Sequence, residues 1–364
     1  MECRKEILSE LKKVNNKVKL PQNIDFQLEN RKIWVFLKSN AVGLVENGKY
    51  TNMQENYAAF EGWAVAIKAF CSEKTEFFKS DKWDGTIVLD VKIGELPDFF
   101  IGKEQGHYAR FLYRALRFSE TYDWFSLSEK LEKVVQDFDT NILKQKTLMN
   151  NPPKGEVVEH ETEDKNKSKK IDEKKVEYDF KEHPKLFQGV MRQAGIDWMG
   201  ETINRQLPCG LFLASSQKEV RTKNAVFTGR KSAIDLWSYY QKDNKNVMTV
   251  VELKTKNKMI GMITEIFFYA NYCRDMFGEN ACFHKNLNKK QKLYRGYEQL
   301  IDHDINHIEA VMLADEFHPL INDKVIEVLN QGNDDASMSG TIIKYHLADY
   351  GLDKNRNVVI KENR

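Results

Sequence analysis

Between residues 232 and 271 the chain reads SAIDLWSYYQKDNKNVMTVVELKTKNKMIGMITEIFFYAN, two apolar runs and then a strongly apolar helical segment. Each run carries charge where a buried strand should have none: Asp235 in the first, Glu252 and Lys254 in the second. Side chains alternate along a strand with a period of two, so Glu252 and Lys254 share one face. The polar cluster over residues 241–246 divides the runs, and Asp243-Asn244 at its centre is a dipeptide suited to a two-residue hairpin. A turn there pairs Lys242 with Lys245 and, counting outward, sets Asp235 opposite Glu252. Carboxylates directly opposed at about 4.5–5.5 Å between backbones repel each other. A divalent cation between them removes the conflict, and hard oxygen donors suit magnesium or manganese. The flanking Val250, Val251 and Leu253 mark a central strand, where an uncompensated carboxylate is costly to bury.

The rest of the composition restricts the setting of this hairpin. At 364 residues the chain has length for two domains with cores of their own. A net charge of +2 excludes a global polycation, so contact with nucleic acid needs a local patch. The five cysteines are odd in number and form no CxxC, which predicts reduced thiols and a cytoplasmic location. Cys273, Cys282 and His284 form the only loose group with zinc-ligand chemistry, and isolated cysteines more often act as small buried hydrophobes. The opening MECRKEILSE is charged and lacks the apolar stretch of a signal peptide, and no run of about 18 apolar residues occurs, so no membrane insertion is expected.

Along the chain, residues 1–30 suggest a short helix, residues 33–37 and 41–45 strands, and residues 53–70 a helix whose apolar spacing serves a core. Residues 86–93 form a further strand with Asp90 and Lys92, but no acid is placed to face Asp90, so a second metal site is not expected. In GHYARFLYRALRF, residues 106–118, His107, Arg110, Arg114 and Arg117 recur at helical spacing along one face. Such a face is either simply solvated or tracks phosphates. Periodicity collapses over residues 144–182, a charged stretch with a Pro-Pro step that reads as a linker. The expected division is an α+β domain over residues 1–143, the linker, and a second domain over residues 183–364. There, residues 186–207 read as a helix, 209–215 as a strand, then the hairpin, a helix at 260–276, a strand at 307–315, a helix at 320–329 and a strand at 340–349. Neither an internal repeat nor a nucleotide-cradling glycine loop is evident.

The order of helix, strand, Asp-bearing strand, Glu-x-Lys strand, helix and strand over about residues 184–349 resembles the core of the PD-(D/E)xK, restriction-endonuclease-like phosphodiesterases. The resemblance implies an α/β fold class with an αβββαβ core around a mixed central sheet. It makes Asp235 the motif aspartate, Glu252 the acid of the ExK element and Lys254 its lysine, with Ile234 standing where the motif's name has proline. It implies magnesium or manganese as cofactor, DNA as partner and metal-assisted attack of water on a phosphodiester, in a restriction or phage-defence setting. Glu201 matches an additional acidic ligand of some members. Glu265 and Tyr269, with Tyr272 a turn on, resemble the Gln-xxx-Tyr helix of RecB-like nucleases, with glutamate in place of glutamine. Lys256 shares the face of Lys254 and is a candidate phosphate contact. The first domain is then a platform for substrate, a partner protein or a second copy. Two other readings stand beside this one: a non-catalytic nucleic-acid-binding or assembly protein that keeps the fold, and a nuclease acting on RNA.

Overall fold

The structure, a computed structural model, describes residues 2–44, 52–71, 77–79, 82–102, 105–157, 173–214, 222–227, 232–256, 258–286, 292–332 and 340–361. It is a mixed α/β molecule built on two hairpins. After α1 (Glu2–Val14), β1 (Ile24–Glu29) turns into β2 (Lys32–Leu37) through Asn30 and Arg31, at φ +50° and +62°. Positive φ at both central residues is the turn geometry that matches the twist of the flanking strands. The chain continues through α2 (Phe60–Phe70) to β3 (Ile87–Val91), parallel to β2, and through α3 (Gly106–Thr121) to β4 (Phe125–Leu127), parallel to β3. These strands lie in the order β1-β2-β3-β4, and α4 (Glu129–Phe138) follows, with Ser128 accepting a capping hydrogen bond from Leu131 N.

Next come β5 (Leu148–Met149), α5 (Glu173–Glu182), α6 (Pro184–Gln193), β6 (Asn204–Pro208), β7 (Leu211–Leu213) and β8 (Ala225–Phe227). The second hairpin joins β9 (Ala233–Lys242) to β10 (Lys245–Lys254) through Asp243 and Asn244, at φ +50° and +59°. From β10 the chain runs through α7 (Gly261–Phe277) to β11 (His307–Ala314), parallel to β10. It then passes through α8 (Asp323–Asn330) to β12 (Ile342–Leu352), parallel to β11, and ends in the edge strand β13 (Val358–Ile360). The six strands lie in the order β13-β12-β11-β10-β9-β6, and β5, β7 and β8 make a separate three-stranded sheet. A hairpin followed by two helix-linked parallel additions therefore occurs twice, a repeat of topology that the sequence does not display.

Helices α2 and α7 lie between the two large sheets. The start of α7 approaches α2 and the segment before it so closely that a Cβ on Gly62 would stand 2.8 Å from the Ile260 carbonyl oxygen, and one on Gly261 would stand 1.8 Å from that of Gln54. Side chains from both halves fill one core: the Phe118 ring lies 5.8 Å from Phe60 and 5.1 Å from Phe267. The expected separation into two domains with their own cores is thus corrected, because α7 is the common wall of both halves. A second core on the opposite face of the six-stranded sheet gathers Val176 and Phe180 of α5, Phe187 of α6, Leu236, Val251 and Tyr350.

Other element boundaries also change; α2, for example, starts at Phe60 and not at residue 53. The helix expected over residues 186–207 stops at Gln193, where Gly195 at φ +74° supplies the left-handed residue that ends a helix. The chain then becomes β6, which takes the first place in the sheet that residues 209–215 were expected to fill; Leu211–Leu213 instead joins the small sheet. Both ends of the expected linker are ordered, as β5 and as α5, whose Val176, Glu177 and Phe180 are buried. Residues 158–172 of that stretch lie outside the described residues. Residues 39–42 form a short 3-10 turn ended by left-handed Gly43 in place of the expected strand. Among the described residues no helix is long and apolar enough to cross a membrane.

Candidate active site

The hairpin ladder pairs Lys242 with Lys245 and holds without a slip to Leu236 and Val251, so the next positions outward are Asp235 and Glu252, as the turn requires. At that point β9 changes face. Leu236 packs into the core under α5 and α6, whereas Ile234, two residues away, packs into the core around α7. On the neighbouring strand, Arg205 pairs with Leu236 and Leu207 with Ile234, and Gln206 between them sits at φ +56°. A non-glycine residue held there inside a strand stores about 1–3 kcal/mol, a strain that persists only where its surroundings enforce it. The kink sets the half-buried Asp235 carboxylate between the two neighbouring strands, where it accepts from Leu253 N at 2.9 Å and from Gln206 Nε2 at 3.4 Å.

Strand β10 brings up the other members. Glu252 is 2% exposed and Lys254 6%, side by side on the face toward α7. The Lys254 ammonium donates to Glu252 Oε1 and stands 3.1 Å from Glu265 Oε2, in the second turn of α7. Two buried carboxylates, those of Glu252 and Glu265, thus share one buried ammonium, and the half-buried Asp235 carboxylate adds a third negative charge nearby. Burial raises the Asp235 carboxyl to about 7, against the pull of Lys254. Burial, with repulsion from Asp235 and Glu265, holds Glu252 well above the usual carboxylate range. Burial pulls the Lys254 ammonium down, but Glu252, Glu265 and Asp235 outweigh it and keep the group firmly cationic. Burial likewise raises the phenol of Tyr269, helped by Glu252 and Glu265, so this side chain remains a neutral hydroxyl. The arrangement has an unbalanced negative charge of the kind that a proton or a cation would relieve.

Helix α5 adds acids that sequence reasoning missed because their stretch resembled a solvated linker. Glu177 is buried; Gln206 Nε2 donates to its Oε1 at 3.0 Å and Arg205 Nε to its Oε2 at 3.2 Å. Gln206 thereby bridges Glu177 to Asp235. Glu173, one turn earlier, accepts from Thr255 N at 3.3 Å. The signal for α5 was available: Val176, Phe180 and Phe187 recur at helical intervals across the expected boundary. Glu201, by contrast, is exposed in the loop before β6, since α6 ends before reaching it, and it is not part of the cluster.

The arginine face of α3 is corrected as well. Arg110 and Arg114 are buried, and Arg117 is nearly so. Arg114 grips Glu61 through two hydrogen bonds of 2.6 Å, and Arg117 donates to Asp275 Oδ2 at 2.7 Å. Arg110 lies 6.0 Å from the Phe227 ring centre, and burial lowers it to about 10. The face points inward because α3 packs on α4, β8 and α7: Arg114 pairs within the first half, Arg110 and Arg117 reach the second, and no basic stripe is presented. Asp90 is also structural, accepting from Ser128 Oγ at 2.7 Å with Lys130 at 3.3 Å. Lys256 is exposed at φ +53°, just past β10, with its amide on Asp315 Oδ1 at 2.8 Å.

A groove of about 400 Å³ opens beside β6, lined by Tyr178, Lys181, Arg205, Tyr294 and Arg295 among others, and Arg295 donates to the Gln206 carbonyl at 2.7 Å. The larger cleft of about 750 Å³ lies at the far end of α7, between Arg117, Lys144 and Arg274, away from Glu252. Among the described residues no three His, Cys, Asp or Glu side chains converge to hold a metal ion as they stand. Asp235 and Glu252 nevertheless supply the hard oxygen donors that magnesium or manganese takes, and Lys254 spans the position that excess negative charge would otherwise leave uncompensated. The chain matches no protein-family model, no curated protein and no solved structure.

Proposed function

We propose that the chain is a metal-dependent nuclease that hydrolyses DNA phosphodiester bonds at the C-terminal end of β10, on a sheet of the restriction-endonuclease-like kind. The observation that carries this reading is the meeting of buried Glu252 and Lys254, near the C-terminal end of β10, with the half-buried Asp235 at the kink of β9, a group with more carboxylate than ammonium. The order of α6, β6, β9, β10, α7 and β11, with the antiparallel hairpin leading into a parallel addition, supports it. Asp235 and Glu252 would hold magnesium or manganese, which when bound would polarise the phosphoryl oxygen and lower the pKa of an attacking water.

The chain's own residues supply the rest. Lys254 offers N–H donors to orient the water and to offset charge that develops on the phosphate. Glu265 shares that ammonium from the α7 side and fixes its position. Gln206 holds Asp235 and Glu177 in register, and the groove with Lys181, Arg295, Tyr178 and Tyr294 next to it suits a phosphate backbone and its bases.

The test is incubation of the full chain with linear, circular and single-stranded DNA and with RNA, with and without magnesium or manganese, beside Glu252→Ala. Metal-dependent DNA products that disappear in the variant support the reading. Cleavage unchanged in Glu252→Ala refutes the site, and products from RNA alone transfer it to the other substrate. Salt-sensitive binding with no products would identify a non-catalytic binder.

A further inference from the structure

We infer that the N-terminal half is a non-catalytic copy of the same fold, paired with the catalytic half inside one chain, and that the protein therefore cuts one strand of a duplex per binding event. The inference rests on the nuclease reading above.

The two halves correspond element by element. Hairpin β1-β2, then α2, β3, α3 and β4, repeats as hairpin β9-β10, then α7, β11, α8 and β12, with the same antiparallel, parallel, parallel sequence of pairings. Both hairpins turn on two residues with positive φ, and Glu29 pairs with Lys32 as Lys242 pairs with Lys245. Counted from the turns, Val35 and Leu37 stand where Met248 and Val250 stand, and all four enter the shared core. The two sheets thus present the same face to the helices between them.

The chemistry does not repeat. Glu252 and Lys254 lie eight and ten residues past Asn244; eight and ten past Arg31 are Ser39 and Ala41, in the 3-10 turn. Asp235 lies eight residues before Asp243; eight before Asn30 is Gln22. Neither a carboxylate pair nor a lysine stands at the first hairpin's corresponding positions.

The first half also closes off the helix through which a second catalytic unit could pair in the same way. Every residue of α7 except Arg274 is buried. Its first turn is locked to the other half: Thr264 Oγ1 donates to Glu61 Oε2 at 2.9 Å, and Ile260 N to Asn56 Oδ1 at 3.2 Å. The contact of α7 with α2 and the segment before it has no space for a Cβ at Gly62 or Gly261. One chain accordingly contains one hydrolytic centre and its own structural partner.

The experiment follows supercoiled plasmid with the full chain in magnesium or manganese, and mixes wild type with Glu252→Gln at fixed total protein and excess DNA. Open circles should accumulate first, with linear DNA appearing only after a lag, and the rate should fall in proportion to the wild-type fraction. Linear DNA produced from the outset together with open circles, or a rate falling as the square of that fraction, overturns the inference while leaving the nuclease reading intact. No product under any condition overturns both.

Discussion

Replacing Glu252 by glutamine separates a functional cluster from a stabilising one. In the metal-free protein, Glu252 and Glu265 pair with the single ammonium of Lys254, all three buried, and the half-buried Asp235 repels Glu252 from nearby. Removing one partner of a buried ion pair ordinarily costs about 3–5 kcal/mol, because the other charge is left alone. Here Lys254 keeps Glu265 at 3.1 Å, so its charge remains compensated while one source of repulsion disappears. The second effect should win, stabilising Glu252→Gln by about 1–3 kcal/mol. With an unfolding entropy of about 2 cal/mol/K per residue, a chain of this length moves its Tm by about 1–1.5 °C per kcal/mol. Calorimetry at pH 8 without metal should therefore place the variant about 1–4 °C above wild type. Millimolar magnesium should raise the wild-type Tm and leave the variant's unchanged. A variant less stable than wild type at pH 8, or an equal magnesium effect on both, would refute the charge imbalance on which the site rests.

The pH dependence follows from the same carboxylates. With Asp235 raised to about 7, the folded metal-free protein holds a proton there that the unfolded chain releases near pH 4, so the contribution of Asp235 to stability should fall as pH rises from about 4 to 7. The effect is at most about 4 kcal/mol and smaller where water screens the half-buried side chain. Because the half-buried His318, lowered to about 4, acts in the opposite direction, the comparison is with Asp235→Asn; a wild-type Tm that does not fall relative to that variant across the window would exclude the effect. Arg114→Met leaves Glu61 in the core without its guanidinium, and chemical denaturation should show a loss of about 3–5 kcal/mol. Nucleic-acid affinity of the folded Arg114→Met protein should match wild type, whereas a loss of affinity without a loss of stability would mean that α3 does face the substrate. Glu177→Gln should slow cleavage by about 10–100-fold, the range for groups that orient a site from behind. Glu201→Gln should leave the rate unchanged; the reverse ranking in single-turnover assays would favour the loop acid over α5.

The hairpin was legible because its information is local. A two-residue turn fixes register, register fixes which residues face each other, and charges in apolar strands stand out against that pattern. Asp235, Glu252, Lys254 and Glu265 are therefore readable one by one, but the kink that turns Asp235 toward Leu253 N is not. It depends on Gln206 adopting φ +56°, a conformation that glutamine does not announce. The arginines of α3 were misplaced for a related reason. Spacing shows that Arg110, Arg114 and Arg117 share a face, but the same spacing serves a solvated face and a buried one, and only the distant partners Glu61 and Asp275 decide between them. Glu177 was missed because lysines and glutamates dominate its surroundings, and the apolar stripe of Val176 and Phe180 continues only in the next helix.

The topological repeat escaped the sequence for a deeper physical reason. What defines each half is the order and direction of strands, and that order needs only a turn tolerating positive φ twice, apolar alternation and helices of suitable length. Asn30-Arg31 and Asp243-Asn244 meet the first requirement with no position identical, and Val35-Leu37 and Met248-Val250 meet the second with different side chains at each position. A buried cluster of carboxylates and an ammonium demands particular residues, and it stands at one hairpin. The first half, with Ser39 and Ala41 where the second has Glu252 and Lys254, needs only to cover α7. That duty does constrain it: Glu61 must meet Thr264, and Gly62 must pass Ile260. The strongest constraints on the first half therefore lie in its contacts with the second, where a comparison of the two halves with each other would not find them.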